Sequence, residues 1–334
     1  MTRVLFIWRP RDELREYLEA GLKDVPDLEL IFPPDTEPGT LMKHASGVDI
    51  IVGWRPSREL LEAAQRLKLF INPGAGVQHI VPLFRELGRE VTLVNGHGNS
   101  YFTGQHAVAM LLALLNNLVV HDRWMREGRW RMGDKDAIST PLRGRNVGLL
   151  GYGHVNRKVH RFLDGFDVEF MVLHRRPGES GPVPVGVPEY GPGQLAEFLA
   201  ATDMLVVALP QTDETVGLIG KPELELLGTS GVLVNVGRGA VIDEEALYVA
   251  LKEHRIAGAA LDVWYDYRPE PDPDGRKFPY RFPFHELDNV VLSPHRGASP
   301  MTDLGRWDEV VENITRCARG QREYLNTVDI EAGY

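Results

Sequence analysis

Three polar side chains each stand at or just past the end of a short apolar run. Arg238 follows GVLVNVG (231–237), Asp262 ends IAGAALDV (256–263), and His295 ends NVVLSPH (289–295). Separately they read as a surface ion pair, a turn cap and an edge histidine. Apolar runs of this kind are buried parallel strands, and ligands of open α/β sheets bind beyond the carboxyl ends of such strands. An arginine, an aspartate and a histidine sharing that edge are a constellation suited to proton transfer beside a charged or carbonyl oxygen. Glycines flank the arginine, in Asn235-Val236-Gly237-Arg238-Gly239, and hold it in a turn.

Beyond Asp262 the chain reads WYDYRPEP, with carboxylates at Asp266 and Glu270. It continues to residue 286 with five prolines and no periodicity. A loop of this length inside a compact domain is usually functional or mobile. Trp54 and Arg55 follow another apolar run, DIIVGW. Arg55 suits a second acidic group on a substrate, and Trp54 suits either a pocket wall or plain packing.

A second kind of chemistry is suggested by NVGLLGYGHVN, which places Gly151 and Gly153 between a strand and a helical pattern. Such a turn lets backbone N–H groups and a helix N-terminus approach a pyrophosphate. The third glycine of the usual fingerprint is Asn156 here, a weakening of the motif. About 20 residues downstream, where NAD-binding sheets carry an acidic residue, the chain has His174-Arg175-Arg176. Two guanidinium groups at that point suit a 2′-phosphate, so NADP(H) is expected ahead of NAD(H).

These residues need a scaffold, and the alternation of apolar runs with amphipathic segments supplies one. RVLFIW, LELIF, DIIVGW, LKLFIN and VTLVN occupy the first 95 residues. After a long helical segment at roughly 101–128, six further runs begin at residues 146, 168, 204, 231, 256 and 289. The pattern predicts parallel sheets covered by helices, in two domains given 334 residues. With 47 acidic against 37 basic residues, the formal charge of −10 argues against nucleic acid or an anionic membrane as partner. The single cysteine, Cys317, reads as a small core residue. The N-terminal apolar run is too short for a signal segment, and AVAMLLALLNNLVV (107–120) is too short to span a bilayer. A soluble cytoplasmic protein without a metal is the expectation.

The chain resembles the D-isomer-specific 2-hydroxyacid dehydrogenase family, which includes glyoxylate/hydroxypyruvate reductases and phosphoglycerate dehydrogenases. The resemblance is carried by NPGAGVQHI (72–80), GQHAVAMLLAL (104–114), GLLGYGHV (148–155), ALPQTDETVGLI (208–219), NVGRGAVIDEEAL (235–247), GAALDV (258–263) and NVVLSPHRGAS (289–299). It implies a flavodoxin-like substrate domain from residues 1–98 and 299–334, a Rossmann domain from 99–298, and an active site in the cleft. Arg238 would then bind the 2-oxo and carboxylate oxygens of a small 2-oxoacid, and His295 would protonate the oxygen as hydride arrives. Ala75 and Gly76 would offer N–H groups to the carboxylate. Dinucleotide contacts would come from Gly151, Gly153, His154, Val155, His174, Arg175, Arg176, Pro210, Val236 and Gly237, with Asp262 on the carboxamide.

The family normally carries a glutamate on the histidine, five residues after the aspartate of LDV. That position is Tyr267 here. Asp266 is the nearest substitute, Glu270 reaches in if the loop is re-routed, or the histidine lacks a carboxylate. Without one, its protonated form is less favoured, and reduction is expected to peak at lower pH. Further departures are Gln105 and Gln78, where the family has acidic residues. The family usually forms homodimers through the Rossmann domain, with the helix from Ala107 and VVHDRWMREGRWRM as the arm. Two alternatives to a small-oxoacid reductase are an NAD-dependent phosphoglycerate-type dehydrogenase and a dinucleotide-sensing protein with little turnover.

Overall fold

The computed structural model describes residues 1–130, 137–177, 183–298 and 302–334. Two compact units form, Met1–Asn99 with Pro300–Tyr334, and Ser100–Ser299. Residues 131–132, at the end of the expected dimer arm, and Ser299, at the expected domain boundary, lie outside the described residues.

In the first unit, strands β1 (Thr2–Phe6), β2 (Leu28–Ile31), β3 (Ile50–Val52), β4 (Leu69–Asn72) and β5 (Thr92–Asn95) form one parallel sheet in the order β2-β1-β3-β4-β5. That is the flavodoxin-like order. Successive residues of a strand bury opposite sides: Leu5, Ile51 and Phe70 join one apolar cluster, while Val4, Phe6, Ile50 and Val52 join another. Burial on both faces is why each strand reads as a continuous apolar run. The C-terminal helix Asp308–Ala318 docks on the second cluster through Val310, Ile314 and Cys317, so the lone cysteine is a core residue.

The second unit holds β6 (Asn146–Leu150), β7 (Glu169–Leu173), β8 (Glu189–Tyr190), β9 (Met204–Val207), β10 (Val232–Asn235), β11 (Gly258–Leu261) and β12 (Val290–Leu292). Their order is β12-β11-β10-β9-β6-β7-β8, and every pair is parallel. The chain reverses its winding between β6 and β9, which opens a crevice at their carboxyl ends. Six of these strands are legible as apolar runs. The seventh, β8, is two residues long and has no periodicity to read.

The long helical segment is two helices, Ser100–Leu115 and Leu118–Arg126, bent by 64°. Asn117, at φ 48°, makes the break, because asparagine tolerates the left-handed region that ends a helix. No single helix among the described residues is long and apolar enough to cross a membrane. Ala107, Met110, Leu111 and Leu115 of the first helix are buried against one face of the seven-stranded sheet. Each large side chain so placed contributes about 1.5–3 kcal/mol.

Candidate active site

Register aligns the ends of the second sheet. Leu173, Leu150, Val207, Asn235, Leu261 and Leu292 are successive partners across it. The residues singled out in this unit lie just beyond that row. His174 and Gly151 follow directly on β7 and β6, Pro210 lies past β9, and Val236, Gly237 and Arg238 lie past β10. Asp262 directly follows β11, and His295 lies past β12.

Arg238 is held by backbone crowding. A Cβ at Gly237 would lie 2.6 Å from the Leu209 carbonyl oxygen, and one at Gly239 would lie 2.4 Å from that of Trp264. Only glycine permits both approaches. Asn235 secures the turn, its Nδ2 donating to the Arg238 carbonyl at 3.0 Å while its Oδ1 accepts from Gly237 N–H at 3.1 Å. Burial lowers the Arg238 pKa and Tyr267 opposes the effect. A guanidinium nevertheless stays charged at neutral pH.

Asp262 is 2% exposed. Its Oδ1 accepts from Ser293 Oγ at 2.5 Å and Arg296 N–H at 2.6 Å, and its Oδ2 accepts from Gly297 N–H at 2.9 Å. His106 Nε2 stands 2.8 Å from Ser293 Oγ and 3.4 Å from the carboxylate. Since the serine proton is spent on Asp262, its oxygen accepts from the imidazole. Burial alone would raise the Asp262 pKa, but hydrogen bonds from His106, Ser293, Arg296 and Gly297 hold it below the usual carboxylate range. The Asp262 carboxylate is thus hydrogen-bonded to Ser293, Arg296 and Gly297, which flank His295. It clamps the turn that carries His295.

The clamp is needed, because His295 has φ 57°, a left-handed conformation that strains most residues by about 1 kcal/mol or more. Thr103, one helical turn before His106, adds a hydrogen bond from Oγ1 to the Gly297 carbonyl at 3.0 Å. Trp264 Nε1 donates to the Ser293 carbonyl at 2.8 Å.

The partner of the His295 ring is Tyr267, whose hydroxyl lies 2.7 Å from Nδ1. This corrects the expectation of Asp266. That carboxylate turns back to accept the Arg268 N–H at 2.8 Å, closing a local turn, and Glu270 is exposed. The Pro279 carbonyl accepts from Tyr265 N–H at 3.3 Å and Asp266 N–H at 3.0 Å, which ties the loop at its neck. The aromatics after it pack together, Phe278 stacking on His285 at 4.2 Å. The His295 ring reaches solvent on one side. Desolvation on the other lowers its pKa, with Arg238 adding to the effect and Asp262 opposing it.

At the other half of the sheet, the helix His154–Leu163 begins after Gly153 with no side-chain cap. A Cβ built at Gly153 meets nothing within 4 Å, so the turn faces open space. Asn156 is fully buried, and its Nδ2 donates to the carbonyls of Leu150 at 3.2 Å, Gly151 at 2.7 Å and Val206 at 3.1 Å. Asparagine in place of the third glycine therefore staples the motif rather than weakening it. Arg175 and Arg176 are exposed beyond β7. His174 is buried, with Nε2 2.9 Å from the Glu189 carboxylate of β8. A carboxylate absent from this stretch of sequence arrives from the strand that the sequence did not reveal.

In the first unit, Trp54 packs edge-on against Trp8 at 4.9 Å and near Trp307 at 6.0 Å, while Arg55 is exposed. The tryptophan thus belongs to an aromatic cluster of the first unit. Asn72 Nδ2 donates to the carbonyls of Gly74 and Gly76, and Asn95 Nδ2 donates to that of Ala75 at 2.9 Å. These asparagines, not foreseen as site residues, hold the carbonyls of the Gly74–Gly76 loop.

Residues 108–297 match the sequence model of the D-isomer specific 2-hydroxyacid dehydrogenase, NAD binding domain. A glyoxylate reductase of Korarchaeum cryptofilum is 30% identical over 318 residues, covering 92% of each chain. The D-3-phosphoglycerate dehydrogenase of Archaeoglobus fulgidus is 32% identical over 280 residues, 82% of this chain, and this chain spans 50% of its length. The chain belongs to the D-isomer-specific 2-hydroxyacid dehydrogenase family.

Solved structures agree on the dehydrogenase fold. An NADPH-dependent glyoxylate/hydroxypyruvate reductase from Sinorhizobium meliloti, in complex with NADP and malonate, matches with a TM-score of 0.75 at 27% identity, covering 99% of this chain and 98% of that one. A probable 2-hydroxyacid dehydrogenase from Rhizobium etli, in complex with NADP, HEPES and L(+)-tartaric acid, matches with a TM-score of 0.78 at 25% identity, covering 100% and 99%. This dehydrogenase therefore uses a nicotinamide dinucleotide and acts on CH–OH groups. Its own residues fit such a cofactor: an open glycine turn, an uncapped helix N-terminus, and Asn156 holding the turn's carbonyls inward.

Proposed function

We propose that this dehydrogenase is an NADPH-preferring reductase of small 2-oxoacids such as glyoxylate or hydroxypyruvate. The observation that carries the proposal is the row of strand ends bearing Arg238, Asp262 and His295, with the imidazole held in place on Tyr267. Relatives named as glyoxylate reductases support the substrate class. Arg175 and Arg176 at the end of β7 support the phosphorylated cofactor.

When bound, the nicotinamide supplies the hydride. Gly151, Gly153, His154 and Val155 hold the pyrophosphate at the helix start, and Pro210, Val236 and Gly237 line the remainder of the sheet edge. Arg238 binds the 2-oxo and carboxylate oxygens and stabilises the negative charge that develops on the former. His295 gives that oxygen its proton, passing from imidazolium to imidazole. Asp262, through Ser293 and the N–H groups of Arg296 and Gly297, keeps the histidine where it can do so. The active species is proposed to be a homodimer working in the cytoplasm.

Glu189 beside His174 favours a second reading, an NAD-dependent enzyme, because a carboxylate near the end of β7 suits ribose hydroxyls. Initial rates of NADPH and NADH oxidation, side by side on a panel of 2-oxoacids, separate the two. NADPH is expected to be faster, and Arg175→Ala with Arg176→Ala is expected to remove roughly tenfold or more of that preference. Faster NADH oxidation would favour the second reading. Binding without oxidation on every acid would indicate a dinucleotide sensor.

A further inference from the structure

A tyrosine on the histidine changes what the histidine is. A carboxylate can only accept, so it keeps a proton on Nδ1 and stabilises the charged ring. A phenol both donates and accepts. The backbone N–H of Trp264 points at the Tyr267 oxygen from 3.4 Å, and the His295 Nδ1 lies 2.7 Å away. With one lone pair facing that backbone N–H, the hydroxyl proton is free to point to the imidazole.

We propose that Tyr267 is the positioning residue of His295: its hydroxyl donates to Nδ1, holds the neutral ring with its proton on Nε2, and leaves the charged ring without a carboxylate. The proposal deepens the proposed function and rests on it for its catalytic meaning. A neutral ring already presenting Nε2–H can hydrogen-bond a substrate oxygen, yet it has no lone pair there to act as a base. Proton abstraction from an alcohol then requires the tautomer to switch first. Once the ring is protonated, the Tyr267 oxygen can turn to accept from Nδ1–H, so the same residue serves both charge states.

The surroundings agree. Arg238 faces the ring from beyond β10, Asp262 from beyond β11 and Tyr267 from the loop that follows. His106, on the helix Ser100–Leu115, bears on Asp262 and Ser293 rather than on the ring. Asp262 is the one carboxylate among these groups, and its oxygens already accept three hydrogen bonds, with the His106 ring 3.4 Å away. Burial raises the Tyr267 pKa against the opposing effects of Trp264 N–H and Arg238, so the hydroxyl keeps its proton at neutral pH.

The test is the tautomer and titration midpoint of His295 in the free enzyme, read by long-range proton–nitrogen correlation on protein labelled at histidine nitrogen. Eleven histidines are present, so the His295 signals are assigned by their loss in His295→Gln. Wild type is expected to show Nε2–H. Tyr267→Glu is expected to show Nδ1–H and a midpoint raised by roughly 1–3 units, with the alkaline limb of the kcat/KM profile for reduction moving up by the same amount. Tyr267→Phe is expected to lose the tautomer preference. Nδ1–H in wild type, an unmoved midpoint in Tyr267→Glu, or an unchanged preference in Tyr267→Phe would each overturn the proposal. Tyr267 is 56% exposed, which favours folding of both variants, and the wild-type tautomer decides the matter if either fails. The spectra need neither substrate nor cofactor. Absence of turnover on every 2-oxoacid would therefore remove the proposed function while leaving this inference to its own measurement.

Discussion

Asp262 shows how one buried charge organises a site. Three donors satisfy its carboxylate, from Ser293, Arg296 and Gly297, and these residues shape the His295 turn. Its pKa in the folded chain is depressed below the unfolded value. The stability it contributes is therefore present above the unfolded value of about 4 and is lost as pH falls through the depressed one. Asp262→Asn places an amide donor against N–H donors and is expected to destabilise by roughly 1–3 kcal/mol at neutral pH. The gap to wild type should close in acid, and paired denaturant titrations at about pH 7 and pH 3 measure it. A gap of the same size at both would sink this account. Arg238, Asp262 and His295 were legible in the sequence because each ends an apolar run. Tyr267 was visible as a position but not as a partner, since nothing in residue type alone says where a phenol will point.

At the scale of elements, the βα turn at Gly151 reads as a motif only as far as its glycines. Asn156 looked like a defect until its amide was seen to hold three carbonyls from two neighbouring strands. Replacing it with alanine leaves those carbonyls without that donor. Asn156→Ala is expected to lower stability by about 1–3 kcal/mol and to weaken dinucleotide binding along with it. Thermal melting and a fluorescence titration with NADPH check the two effects together. Unchanged dinucleotide affinity would reduce Asn156 to a packing residue. The loop from Asp266 to Glu286 was legible as a loop, from its prolines, but its closure on the Pro279 carbonyl was not. A backbone acceptor leaves no mark on residue type.

Across the whole molecule, the helix Leu118–Arg126 buries none of its residues, and Leu118 and Val119 are 59% and 54% exposed. Met125 at 53% and Trp130 at 74% extend the same stretch. Monomers rarely leave such an apolar cluster uncovered. A homodimer is expected, with a solution mass of twice 37.5 kDa. Leu118→Glu combined with Trp130→Glu is expected to yield monomers with the secondary structure retained. Light scattering coupled to gel filtration decides it, and a wild-type mass of one chain would refute the dimer.

The sequence by itself determined the strands that can be buried on both faces, the order of chemistry-bearing residues along them, and the family to which they lead. Those features are local: an apolar run, a glycine pair and a polar residue at a run's end are each set by their neighbours in the chain. Only tertiary structure decided the partners. Tyr267 meets His295 across 28 positions, Ser293 meets Asp262 across 31, and Asn156 reaches Val206 across 50. Glu189 comes to His174 on a strand too short to have a period. A hydrogen bond between distant residues depends on where two strands end and which way a loop turns, and that is settled by packing and register rather than by residue type.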